Sequence, residues 1–153
     1  LRLGWATASG DGDAADRRQE SFFNALPTNH KYYGYADQLA FSNLAQAYAQ
    51  LWLHPADDLV LALHGHAFHA ADASAPVVFG SGAFNERAFG YGVRPTGGRQ
   101  EIGHEIDLTL TWKPLPRVEL LLGWSRFFGG AVYRALFDDE DAGVFYAQVA
   151  LRR

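Results

Sequence analysis

Residues 101–128, EIGHEIDLTLTWKPLPRVELLLGWSRFF, decide the fold. Ile106, Leu108, Leu110 and Trp112 alternate with Glu105, Asp107, Thr109, Thr111 and Lys113. A period of two marks a β-strand with one apolar and one polar face. After KPLPR the alternation resumes, with Val118, Leu120, Leu122 and Trp124 against Glu119, Gly123 and Ser125. The proline-containing break has the length and chemistry of a turn, so the pair reads as an antiparallel hairpin. The expected strands span residues 101–113 and 118–128.

Four further strands follow outward from this hairpin. Residues 1–9 set Leu1, Leu3 and Trp5 against Arg2, Gly4 and Ala6. Residues 43–53 set Ala47, Ala49, Leu51 and Leu53 against Gln46, Tyr48, Gln50 and Trp52. Residues 59–70 set Leu59, Leu61 and Leu63 against His64, His66 and Phe68, and residues 144–152 set Phe145, Val149 and Leu151 against Tyr146, Gln148 and Arg152. An amphipathic helix competes for residues 39–53, which are rich in Ala and Gln. Strand is favoured, because HPADD leads from there directly into an unambiguous strand.

The connections alternate in length. HPADD and KPLPR are tight, whereas residues 10–42 and 71–100 form long connections and residues 129–143 one of intermediate length. Structureless loops that long are uncommon in compact domains. Outer-membrane barrels combine short periplasmic turns with long outer loops, and alternate apolar and polar residues along strands of about 10 residues. The expected fold is therefore all-β: an antiparallel, up-and-down transmembrane barrel, of which these are six strands. The first strand runs outward and the last ends at the periplasm. An ordinary barrel needs at least about 8 strands. Open edges are not tolerated in lipid. Residues 1–153 are thus expected to be the C-terminal segment of a single barrel domain whose N-terminal strands lie upstream. The lack of any methionine agrees with a processed chain or a fragment.

Composition narrows the function. The chain has 153 residues, with 48% hydrophobic, 20% charged and 14% aromatic, and a net charge of −4. An acidic balance argues against nucleic acid as a partner. The absence of cysteine removes disulfides, thiol catalysis and Cys-ligated metals. No apolar run reaches the length of a transmembrane helix.

Several motifs resemble the alginate-export family of outer-membrane proteins. They are SGDGDAAD at residues 9–16, LPTNHKYYGYADQ at 26–38, the Asn43-Leu44 strand opening, IGHEIDLTLTWKP at 102–114, LLGWSRFFGG at 121–130 and the closing FYAQVALRR at 145–153. They occur in family order across essentially the whole chain, as the C-terminal third of the family domain. The resemblance implies a monomeric barrel of about 18 strands in a Gram-negative outer membrane. It further implies passive diffusion of an anionic polysaccharide such as alginate, or of small anionic solutes, through a lumen lined by Arg and Lys. Implied partners are outer-membrane lipid, lipopolysaccharide and the barrel-assembly machinery. Two departures stand out. Family chains close on an aromatic residue, whereas this one ends at Arg153, which leaves open whether that is the true terminus. HGHAFH at residues 64–69 replaces a more acidic and aromatic pattern.

By strand parity the pore lining comprises Arg2, Gln46, Tyr48, His64, His66, Glu105, Asp107, Lys113, Gln148 and Arg152, with Glu101 and Glu119 beside them. This wall is not basic. Either Glu105 and Asp107 pair with Arg on other strands, or the cargo is not a polyuronate. His64 and His66 lie on one face, about 7 Å apart along the strand. That spacing suits zinc if a third ligand exists. His69 falls on the opposite face and no Cys or obvious His partner follows, so no metal is assigned and no cofactor is expected. Asp11, Asp13 and Asp16 form an acidic loop that lacks the Glu spacing of an EF-hand. Ser125 and His66 share a face, but no GxSxG elbow is present and no enzyme is expected. Trp112 fits an interfacial girdle. Arg126, at the outer end of its strand, either reaches lipopolysaccharide phosphates or is a solvated charge. The aromatic segment 22–35 is a candidate gating loop over the pore. The rival of another class is a soluble β-sandwich that binds carbohydrate, which would turn all its Leu and Val faces toward one dry core.

Overall fold

The computed structural model describes residues 1–13, 15–18, 20–22, 24, 32–80, 92–138 and 140–152. The expected strands are present as β1 (Arg2–Ala8), β2 (Leu44–Ala56), β3 (Leu59–His69), β6 (Glu101–Leu115), β7 (Val118–Gly129) and β8 (Asp141–Leu151). They form one antiparallel sheet in the order β1-β2-β3-β6-β7-β8, so every strand pairs with its neighbour among these six. The helical alternative for residues 39–53 is not realised; β2 occupies the segment. His30, Lys31 and Arg153 lie outside the described residues, as does most of the proposed gating loop before Tyr32.

The short turns are tighter than the sequence suggests. Strands run through His54–Ala56 and Pro114–Leu115, leaving only Asp57 and Asp58 in one turn and Pro116 and Arg117 in the other. Pairing skips between Leu53 and Ala56 and between Trp112 and Leu115. Pro55 and Pro114 sit at those skips, since proline offers no N–H to the ladder. The long connections are not structureless. Residues 71–100 carry the hairpin of β4 (Val77–Phe79) and β5 (Gly92–Arg94), and the last connection carries a one-turn helix, α1 (Ala131–Leu136).

Among the described residues a dry core forms only at the long-connection end of one face. Leu39, Leu44, Phe68, Val77, Phe79, Ile102, Phe127, Val132 and Tyr133 pack there. Ring contacts Phe68–Phe127, Phe127–Tyr133 and Phe79–Tyr133 run through it at 6.2, 5.1 and 5.9 Å. Asn43 holds the connections together. Fully buried with φ 48°, it donates from Nδ2 to the carbonyls of Asp72, Ala75 and Pro76, and its Oδ1 accepts from the Asp72 N–H. Asx side chains tolerate such left-handed backbone.

The other face carries no such core. Leu3, Trp5, Leu63, Ile106, Leu108, Leu122, Trp124, Phe145 and Val149 all remain exposed on it, with Leu3 at 72% and Phe145 at 71%. The common dry core that a soluble sandwich requires is absent among the described residues.

Candidate functional site

The polar face is built by period-two alternation on β2, β3, β6 and β7, and residues 32–40 fold over it as a strap. Gln46 and Glu105 are each 1% exposed, Asp107 is 1% and Ser125 is fully buried. His64 and His66 lie in the same row, because β3 and β6 pair His64 with Asp107 and His66 with Glu105.

The strap meets this face mainly through its backbone. The Ala36 N–H donates to Glu105 Oε1 at 2.7 Å, the Tyr35 N–H reaches Asp107 Oδ1 at 3.4 Å, and the Gln46 amide donates to the Tyr32 carbonyl at 3.0 Å. Gly34, with φ 92°, lies against the Glu105 carboxylate, where a Cβ would overlap its oxygens. Tyr35 stacks on Tyr146 at 5.8 Å and tilts against His64 at 6.0 Å. Burial raises the Tyr35 hydroxyl above its usual range, and the Asp107 charge adds to this.

Beneath the strap the side chains form a connected cluster. The Ser125 hydroxyl lies 2.6 Å from Asp107 Oδ1 and 3.0 Å from Glu105 Oε1. His66 Nε2 is 3.4 Å from Asp107 Oδ2, and its Nδ1 is 2.5 Å from the Gln46 amide. Among the described residues neither Glu105 nor Asp107 forms an ion pair with Arg or Lys. The Ser125 hydroxyl faces carboxyl groups rather than an imidazole, so no Ser–His pair is formed here.

The remaining expected residues lie elsewhere on the sheet. Arg2 places its guanidinium over the Trp52 ring at 5.3 Å. Tyr48 lies over Gly4 on β1 and tilts against His66 at 6.1 Å. Lys113 and Arg152 both reach Glu119, at 3.5 and 2.9 Å, in an exposed cluster at the short-turn end. Gln148 is exposed on β8, and Glu101 begins β6 at the long-connection end. Trp112 donates from Nε1 to Asp58 Oδ2 at 3.0 Å, which fastens its ring to the β2–β3 turn. Arg126 pairs with Asp141 at 2.8 Å. In the connection after β3, Ser74 donates to Asp72 from its hydroxyl and its backbone N–H and holds that carboxyl below its usual range.

Parity alone missed Tyr35, Tyr146 and Trp52 as parts of this site. Tyr146 and Trp52 share parity with Gln148 and Gln50, so their face was legible. The Gly34-Tyr35-Ala36 contact spans about seventy positions of sequence and leaves no periodic trace.

The fold thus defines an all-β wall of long antiparallel strands, with polar side chains covered on one face and apolar ones open on the other. The chain matches the model of the Alginate export family over residues 1–146 and belongs to that family. That is a transport family, and membership supports a role in exporting alginate or a related polysaccharide. No curated relative matches the chain.

Proposed function

We propose that this chain is one segment of the wall of a Gram-negative outer-membrane β-barrel. The barrel passes an anionic polysaccharide such as alginate, or small anionic solutes, by passive diffusion through a polar lumen. The inverted distribution of polarity carries this reading. A large apolar side chain left in water forfeits roughly 1.5–3 kcal/mol relative to burial. A whole face of them on β1, β3, β6, β7 and β8 is reasonable where the surroundings are hydrocarbon. Strand lengths of 11 to 15 residues for β2, β3, β6, β7 and β8 suit a tilted crossing. In the six-stranded sheet β1 and β8 each leave one edge unpaired, and lipid does not tolerate open edges. Further strands of the same barrel would complete them, about 18 in all if the family pattern holds.

In this arrangement the strap is a constriction folded onto the lumenal wall. Lys113, Glu119 and Arg152 sit at the periplasmic mouth, and Trp112 belongs to the girdle there. The partners would be membrane lipid and lipopolysaccharide outside, the anionic solute inside, and the assembly machinery during insertion. No enzymatic step and no nucleic acid enters. Glu105 and Asp107 serve here to hold the strap, so the basic residues that attract a polyanion would come from other strands.

Planar-bilayer conductance of the full-length protein tests this. Anion-selective reversal potentials under a salt gradient, with block by oligouronates, are the expected result. A cation-selective or unblocked channel removes the polyuronate cargo, and a protein that forms no channel removes the barrel pore altogether.

A further inference from the structure

The covered face holds a group of side chains that solute passage does not require. His64, His66 and Asp107 are all buried, and each offers one ligand atom such that the three lie within 4.8 Å of one another. From this geometry we infer that they form a binding site for a divalent transition-metal ion of the zinc class.

Four observations support the assignment. First, among the described residues, His64 is 7% exposed and its Nε2 is buried without a hydrogen-bond partner, and Asp107 Oδ2 is buried and likewise accepts no hydrogen bond, with His66 Nε2 at 3.4 Å. Buried polar atoms left this way cost about 1–3 kcal/mol each, and a bound cation would satisfy both. Second, the donor set discriminates. Two imidazoles and one carboxylate suit zinc, cobalt, nickel or copper, whereas calcium and magnesium require mostly oxygen. Third, an outer contact that orients a metal ligand is in place. Ser125 fixes the other oxygen of Asp107. Fourth, an entry path exists. A cavity of about 380 Å³, lined by Arg2, Tyr35, Tyr48 and Trp52 among others, reaches His64.

Tetrahedral ligands at about 2.1 Å from zinc stand about 3.4 Å apart. The His66–Asp107 pair is already at that separation, so only His64 has to close in. Rotation of its imidazole toward Asp107 supplies the movement. Three protein ligands leave the fourth position to water. The ion would also balance the charge of Asp107, which shares the Ser125 hydroxyl with Glu105. It would sit directly beneath the strap and bind the wall on which the strap rests. The site stands whatever the channel carries.

Calorimetric titration of the purified full-length protein in detergent with zinc sulfate is the test. The expected result is a saturable zinc site whose affinity falls by at least about 100-fold in the His64→Gln/His66→Gln variant, beyond the loss that outer contacts alone cause. It should be unchanged in His69→Gln, on the opposite face, and magnesium and calcium should not compete. Undiminished zinc affinity in the double variant overturns the proposal. If that variant does not fold, X-ray absorption of the zinc-loaded, unaltered protein decides. Two imidazole nitrogens and a carboxylate oxygen around zinc support the site, and any other first coordination sphere overturns it. Neither readout involves conductance, so failure of the channel reading and failure of this site are distinguishable.

Discussion

On the covered face Glu105, Asp107, Gln46 and Ser125 are all but inaccessible, while across the same strands Leu108, Leu122, Trp124 and Phe145 stay open. One residue of chain separates the two environments. The covered face is held by specific hydrogen bonds to the strap, so its tolerance depends on shape and polarity together. The open face is held by nothing within the described residues, so its tolerance depends on the solvent it meets. A single substitution on each face therefore reports a different quantity.

Leu108→Arg should show the largest effect and bears directly on the open face. In lipid vesicles, folding should weaken by about 2–4 kcal/mol if the position faces the bilayer midplane. A surface position in water would move by less than about 0.5 kcal/mol. Denaturant titration of the protein refolded into vesicles separates the two. Gly34→Ala comes next and acts on the covered face. The added Cβ meets the Glu105 carboxylate at a backbone φ of 92°. Strain of about 1–3 kcal/mol is expected, and faster hydrogen exchange at Tyr35 and Ala36 should reveal a lifted strap. Gly123→Ala forces the Tyr146 ring off its seat and off Tyr35. Overpacking of this kind costs about 1–3 kcal/mol. Because the Tyr146 ring can swing toward the open edge, the lower figure is expected, with a change in tyrosine fluorescence. Glu119→Gln should matter least. Its pairs with Lys113 and Arg152 are exposed, and such pairs contribute about 0–1 kcal/mol. Any loss should vanish in high salt.

The alternation of Ile106, Leu108 and Leu110 with Glu105, Asp107 and Thr109 was sufficient to place the strands and their faces. Period two is a local property, and pairing through two-residue turns preserves it. Strand ends were less legible, because Pro55 and Pro114 read as turn residues yet sit at skips inside the ladders. The secondary structure of the long connections was not legible either. The strand Val77–Phe79 is too short to show a period, and α1 forms because Val132 and Tyr133 find a buried seat rather than from any helical pattern. At the site, parity brought together Gln46, His64, His66, Glu105 and Asp107. It could not supply the neighbour across the ladder, and so it left the histidines without Asp107 as a companion. The strap's grip on Glu105 is made by backbone N–H groups, which every sequence possesses.

The tyrosines over Gly4 and Gly123 have one further consequence. Each ring lies across from its glycine in a directly paired position, Tyr48 with Gly4 and Tyr146 with Gly123. Hydropathy forbids a strand to slip by one residue, because every side chain would change face. It is blind to a slip of two. A glycine seat is not blind, since two places along a ring would overlap a side chain or lose its support. The two pairs lock β1 to β2 and β7 to β8, one at each margin of the sheet, where a strand has a neighbour on only one side to hold its count.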